Sequence, residues 1–427
     1  MNMIKAILKS EFYKNIMTLT SGALVAQIIT LITAPILTRI FTPGELGVYT
    51  LILTAESLFG GIICGRYDVS IVSESEEKNV YPIIKLSVII AIIFSFMAST
   101  GYGIYYFIVR KEYIKYSYAI IFIFFMLLFN GLIRIMESYN NRYKEYKLMT
   151  SVYVVRTSVQ NFGTILSGVF SIGVFGMLSS HVLGMMYGLR RQANALKEHL
   201  PEIRKSTLSD MKYVMIKHYR QPIFSVPGVF ANRYSYSSIN LFVESLFGLT
   251  ILGYYSISYK VLGLPLTVMS NNVAKVFYQQ ASREYDNSGK FVKSFIKTSS
   301  ILFLIAVPMV LSMYYLVPPL FEILFGDGWS KSGVYVKILA PMFGIRFIVN
   351  TISYGLQVAK KQSVELVLQV LFIICSIGCY FVSRTYLLCI EDYLKLIAIS
   401  FSIIYILYYL VVLKYAYGNS FIKKGDV

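Results

Sequence analysis

Charge is scarce in this sequence. Only 15% of its 427 residues are Asp, Glu, Lys or Arg, where a soluble chain of this length carries roughly a quarter. Tryptophan occurs once. Histidine occurs three times, at His181, His199 and His218, too scattered along the chain for spacing to argue a metal or proton site. The four cysteines, Cys64, Cys375, Cys379 and Cys389, show no metal or redox spacing. Cys375 and Cys379, four apart on one apolar stretch, read as small packing residues. No GxxxxGK[ST] segment occurs, so no P-loop nucleotide-binding domain rides on this chain. No cofactor, catalytic constellation or metal site is implied.

Apolar residues are abundant, at 56% of the chain, and mean hydropathy is +0.61. They come in blocks, and a block of about 20 is what the hydrocarbon core of a bilayer requires. A net charge of +18 raises the question of nucleic acid. The basic residues lie between apolar blocks and not on one domain, however, which points to membrane topology and away from a nucleic-acid partner.

The apolar runs predict an all-α membrane protein of about twelve spanning helices, with limits near 18–38, 44–64, 83–109, 114–136, 150–172, 173–190, 222–248, 249–275, 294–318, 333–357, 363–384 and 393–413. The division at Ser171-Ile172-Gly173 is the weakest. Ahead of them no cleavable signal is read. Met1 to Asn15 places Ile4, Ile7, Leu8 and Phe12 on one helical face among lysines, as a helix lying on the cytoplasmic membrane surface would. With that end inside, the inside connections carry 24 Lys and Arg against six outside, namely Arg39, Arg110, Lys111, Lys115, Lys331 and Arg384. By the positive-inside rule both termini are expected in the cytoplasm. The predicted partition is an N-lobe over 1–190, a basic cytoplasmic linker over 191–221, a C-lobe over 222–413 and a tail over 414–427. A shift of 206 residues lays Ile40-Phe41 on Leu246-Phe247, Leu46-Gly47 on Leu252-Gly253 and Tyr49 on Tyr255. This match suggests two equivalent six-helix halves.

Several spans carry charge on a polar stripe. The fifth has Arg156, Gln160, Thr164, Ser167 and Ser171 on one face; the seventh has Arg233, Ser237, Asn240 and Glu244. The eighth has Ser256, Lys260, Gly263, Thr267 and Asn271; the tenth has Arg346, Asn350, Ser353 and Gln357. Charge inside a membrane is costly and usually faces protein or a water-filled cavity. Two readings follow: a cationic cavity between the halves, or snorkelling side chains and structural ion pairs. Arg233, Arg346, Arg156 and Lys260 are the candidates for the first. Arg134, Lys337 and Lys395, near helix ends, suit the second. Glu56 and Glu244 are read either as salt-bridge partners or as carriers of a coupling ion, H+ or Na+. A cationic cavity suits an anion, and arginine forks bind phosphate oxygens in pairs. Pro35, Pro265, Pro308 and Pro341 read as helix kinks, and Trp329 as an interfacial anchor.

Four segments then resemble one family. They are APILTRIFTPGELGVYTL (Ala34 to Leu51), GRYDVSIV (Gly65 to Val72), GYYSISYKVLGLPLTVMSNNVAKVFYQQASREY (Gly253 to Tyr285) and LFGDGWSKSGVYVKILAPMFGIRF (Leu324 to Phe347). In order and spacing they resemble the Wzx-type polysaccharide flippases. The resemblance implies a twelve-helix MATE-like fold of two six-helix lobes in the bacterial inner membrane. It implies as ligand an undecaprenyl-pyrophosphate-linked oligosaccharide unit, moved from inner to outer leaflet for O-antigen or capsule assembly. The implied partners are this lipid-linked oligosaccharide, membrane lipids, and a polysaccharide polymerase with its chain-length regulator. Three alternatives stand beside it. A MATE-type drug or cation antiporter is expected to show acidic groups to its ligand. An O-antigen polymerase or ligase is expected to carry a large extracytoplasmic loop. A lipid II flippase with a different glycan is the third.

Overall fold

The computed structural model of the chain describes residues 11–418. Most of the surface helix expected over Met1–Asn15, and most of the 414–427 tail, lie outside the described residues. No β-strand occurs among them. The main helices are α1 (Glu11–Ile40), α2 (Pro43–Phe59), α3 (Tyr67–Ser73), α4 (Glu77–Ile104), α5 (Ala119–Arg142), α6 (Tyr146–Val169), α7 (Gly173–Met186), α8 (Leu208–Lys217), α9 (Val226–Pro265), α10 (Asn271–Ser288), α11 (Val292–Leu311), α12 (Val317–Phe325), α13 (Ser330–Ile352), α14 (Gln362–Tyr386) and α15 (Ile390–Ala416).

Eight helical stretches among the described residues are long and apolar enough to cross a membrane. The chain is therefore a multi-pass membrane protein. The remaining expected spans differ from these for local reasons. Helices α2 and α7 have only 17 and 14 residues. Helix α6 has 24 residues but carries Arg156, Gln160 and Asn161 mid-length. The stretches expected over 222–248 and 249–275 meet within Gln221–Pro265 and divide at Gly248. That stretch is broken at Gly248, whose backbone at φ 82° and ψ 177° is open to glycine but strained for other residues. Gly248 falls 206 residues after Thr42, the residue that separates α1 from α2, so the shift read in the sequence lands on a chain break in both places.

Two compact units result, residues 1–237 and 238–427. In the first, α1 lies along α6, and α6 along α7. Small residues allow this. A Cβ on Gly22 would meet Thr150 at 2.1 Å, and one on Gly168 would meet Ile40 at 2.2 Å. Between α6 and α7, Gly176 faces Ser167, Ser180 faces Gly163, and Gly184 faces Gln160. The i, i+4 spacing of Gly176, Ser180 and Gly184 makes one small stripe, the usual device for close helix contact where lipid removes the hydrophobic drive. Helix α2 begins at a capping box in which Thr42 and Glu45 exchange hydrogen bonds, with Pro43 in the first turn. Such a cap contributes about 1 kcal/mol and fixes where Tyr49 and Glu56 point.

In the second unit, α13 packs along α15 and takes α11 and α12 on its other sides. Ser258 donates to the Ser332 carbonyl and Ser332 to the Tyr254 carbonyl, each within 2.9 Å, which clasps α9 to α13. Wide, π-type turns follow prolines at Leu266–Ser270 and Ser312–Leu316, the kind of adjustment that re-pairs backbone groups freed by Pro265 and Pro308. Trp329 is a correction: it is buried, edge-on to Tyr254, and is a core residue of this unit and not an interfacial anchor.

Candidate functional site

The first unit gathers polar side chains from five of its helices. Glu56 on α2 accepts at Oε1 from Asn130 Nδ2 of α5 at 2.9 Å, and its Oε2 lies 3.0 Å from His181 Nε2 of α7. Tyr49 Oη, two turns before Glu56, lies 3.0 Å from His181 Nδ1. Gln160 of α6 donates to the His181 carbonyl at 3.3 Å. Asn130 accepts from Arg134 Nε at 3.2 Å, and the same guanidinium stands 3.6 Å from Asp68. Arg156 Nη2 stands 3.7 Å from Glu137 and within electrostatic reach of Glu56. Burying such groups costs free energy unless each finds a partner, and here each carboxylate does.

Arg233, on the first part of α9, is exposed and comes against the Gly60-Gly61 turn after α2. A Cβ on Gly61 would meet Val229 at 2.9 Å, so the close approach is to Val229, while Arg233 Nε at 3.5 Å would be in ordinary contact. Arg66, whose left-handed backbone at φ 64° closes the same turn, is within electrostatic reach of Arg233, as is Arg134. No carboxylate lies within ion-pair distance of Arg66 or Arg233 among the described residues. Four arginines (66, 134, 156 and 233) thus stand against three carboxylates (Glu56, Asp68 and Glu137).

In the second unit Arg346 is half-buried on α13. It donates to Tyr259 Oη at 2.9 Å, and its guanidinium lies 5.7 Å and 5.2 Å from the Tyr259 and Phe343 ring centres. Lys260 follows Tyr259 on α9 and is half-buried. Glu244 is buried on the same helix. Below Arg346 the stripe is tied down, since Asn350 donates to Ser270 at 3.1 Å.

Of the residues singled out in the sequence, Glu56, Arg156 and Arg233 belong to the first unit's network, and Arg346, Lys260 and Glu244 to the second unit. The lower part of the α6 stripe is packing: Thr164 and Ser167 are buried against α7 and donate to their own helix at 2.7 and 2.8 Å. Arg134, read as a snorkelling side chain or a structural ion pair, is the ion pair: it joins Asp68 and Asn130. His181 and His218, which spacing alone left without a role, each meet a carboxylate. Arg66 and Asp68 were missed. Their one signal, a basic and an acidic residue flanking an apolar span, is indistinguishable from an ordinary loop.

The basic linker is folded onto the first unit. Glu74 meets Lys217 Nζ and His218 Nε2, both at 2.8 Å. Lys85 donates to the carbonyls of Arg204 and Ser206, and His199 stacks on Tyr81. Burial alone would raise the Glu74 pKa, but hydrogen bonds from Lys217, the Glu76 backbone and His218 outweigh it and hold it down at about 2. A depressed carboxylate stabilises above its unfolded pKa, and that contribution is lost as pH falls through the folded one. The linker is therefore expected to loosen between about pH 4.5 and pH 2. Pepsin should cut it increasingly fast over that range. Glu74→Gln should be cut fast already at the upper end.

This architecture is the fold of the MOP-superfamily transporters. An inward-facing multidrug resistance MATE family transporter aligns over 96% of each chain with TM-score 0.67 at 12% identity. A MOP superfamily transporter from Pyrococcus furiosus, described as having a binding pocket of reverse polarity, covers 95% of this chain and 96% of its own, with TM-score 0.62 and 13% identity. Lipid II flippase MurJ, in an inward closed conformation, aligns over 94% of this chain and 87% of its own, with TM-score 0.70 and 14% identity. No curated protein matches by sequence. Residues 36–333 match the polysaccharide biosynthesis protein family, and the chain belongs to it.

Proposed function

We propose that the chain is a flippase that moves undecaprenyl-pyrophosphate-linked oligosaccharide units from the inner to the outer leaflet of a bacterial cytoplasmic membrane by alternating access, for O-antigen or capsule assembly. The observation that carries this reading is the arginine excess in the first unit, four guanidinium groups against three carboxylates, in a family of polysaccharide biosynthesis. A pyrophosphate is a compact dianion, and arginine stays charged at any accessible pH while offering paired donors. Arg233 and Arg346 are the proposed ligands, with Arg156 and Lys260 assisting. MurJ shows that this fold serves a lipid-linked flippase elsewhere. A polymerase and its chain-length regulator are the natural consumers of the product.

The drug-antiporter reading rests on the same fold. It calls for carboxylates open to a cation, whereas Glu56, Asp68 and Glu137 each already face a cationic or donor group. A polymerase or ligase is disfavoured by the short connections between spans on the side proposed to be outside.

The proposed topology is twelve spans with both termini cytoplasmic. It is reached by adding α2, α6 and α7 to the long apolar helices and counting α9 as two segments about Gly248. Reporter fusions after Lys205 and after Lys424 are expected to report cytoplasm. A periplasmic signal at either would reject it. Function is tested by complementing a flippase-deficient strain and reading surface glycan on a gel; absence of glycan despite normal protein level would reject the assignment.

A further inference from the structure

The Glu56 site has a composition that an ion pair alone does not need. Both carboxylate oxygens face nitrogen donors, Asn130 Nδ2 at 2.9 Å and His181 Nε2 at 3.0 Å. The second imidazole nitrogen faces the Tyr49 hydroxyl at 3.0 Å. Glu56 and His181 side chains are 18% and 14% exposed. The other charged groups facing the pair are Arg134 and Glu137 on α5, Arg156 on α6 and Arg233 on α9.

This donor set discriminates between ions. Hard cations take shells of oxygen ligands, and here a cation at Glu56 would have to displace two N–H donors. A proton needs only a lone pair. With neutral His181, Nε2–H donates to the carboxylate and Nδ1 accepts from the Tyr49 O–H. A proton added at Nδ1 makes an imidazolium, and the Tyr49 hydroxyl turns so that its oxygen accepts from Nδ1–H. Both imidazole nitrogens keep a partner in both states, and nothing is consumed but the proton.

We propose that the Glu56–His181 pair, gated by Tyr49, is a proton-binding site linked to anion binding at Arg156 and Arg233. The second half rests on the flippase reading; the first does not. The sign follows from electrostatics. Proton uptake adds a positive charge within reach of both arginines, so a bound anion favours the proton, and the proton favours the anion by the same factor. Headgroup and proton then bind together and do not compete. An antiporter in which they exchange would require the opposite.

The test uses the full-length protein in lipid nanodiscs. Without ligand, nitrogen NMR of the imidazoles should show a signal, absent in His181→Gln, that passes from the neutral to the imidazolium form on acidification. This response should differ in Glu56→Gln, which removes the counter-charge, and in Tyr49→Phe, which removes only a hydroxyl. Replacing sodium by choline at constant ionic strength should leave it unmoved. A His181 signal that does not titrate, or one that shifts with sodium, overturns the proton site. With undecaprenyl pyrophosphate as probe, affinity at pH 6 should exceed that at pH 8.5 by about tenfold, within the usual 5–150-fold range of coupling, and Glu56→Gln should flatten the difference. Binding that ignores pH refutes the linkage and leaves the flippase reading intact. A titrating His181 with no lipid binding refutes the flippase reading and leaves the proton site intact.

Discussion

Arg233→Ala and Arg346→Ala are each expected to abolish surface polysaccharide while protein level and membrane insertion stay at wild-type values. Each removes a guanidinium that we propose binds the pyrophosphate, and a hydrogen bond to a charged group contributes about 1.5–3 kcal/mol. Two such bonds to one headgroup make the loss on the order of a hundredfold or more in binding. Arg233 suits this test because it is exposed and no carboxylate among the described residues holds it within ion-pair distance. Arg346 needs a control, since Arg346→Ala also frees the Tyr259 hydroxyl. Tyr259→Phe removes that bond alone and should be mild. Arg→Lys should rescue only partly at both sites, because lysine keeps the charge and loses the fork. Full activity of the Arg233→Ala, Arg346→Ala double variant would make both residues structural.

Gly184→Leu should produce the largest loss of folded protein. A Cβ at this position already lies 2.2 Å from Gln160 Cγ and 3.1 Å from the Arg156 carbonyl. Backbone cannot yield as a side-chain tip can, so a leucine must push α7 off α6. Overpacking costs typically 1–3 kcal/mol. Here the displaced face also carries His181, so its contacts with Gln160 and Glu56 are strained with it. The expected readout is a thermal midpoint several degrees lower in detergent, with poor expression. Gly228→Ala, at a glycine with open space around it, should change neither.

Much of this architecture could be read from apolar runs, because span length is set by the bilayer and charged breaks mark the ends. The expected limits 363–384 and 393–413 lie within α14 and α15. The turn at Ser171-Ile172-Gly173 is real, with Ser171 and Gly173 both at positive φ. The division expected between 248 and 249 falls at Gly248, where the backbone leaves the helix. The site was half legible. A stripe on one helix identifies Arg156 or Arg346, because periodicity is a local property. Glu56 and His181 meet across 125 residues of chain, so no spacing rule pairs them. Arg134 was open to two readings, snorkelling or a structural ion pair; Asn130 lies four residues before it on α5, but the Asp68 that makes the ion pair comes from α3, which no local spacing shows. Trp329 fell to the same limit, since aromatic residues near a span boundary serve equally as anchors and as core.

The central claim is that this chain carries an anionic lipid-linked glycan across the bilayer. Its most direct test is purified protein in proteoliposomes loaded symmetrically with a labelled undecaprenyl-pyrophosphate disaccharide, from which an impermeant oxidant first removes the outer-leaflet label. The account predicts that protected label becomes oxidisable with time in wild type, and stays protected in the Arg233→Ala, Arg346→Ala variant as in empty liposomes. Wild-type vesicles whose inner label stays protected, while the same preparation exports a cationic drug, would contradict it.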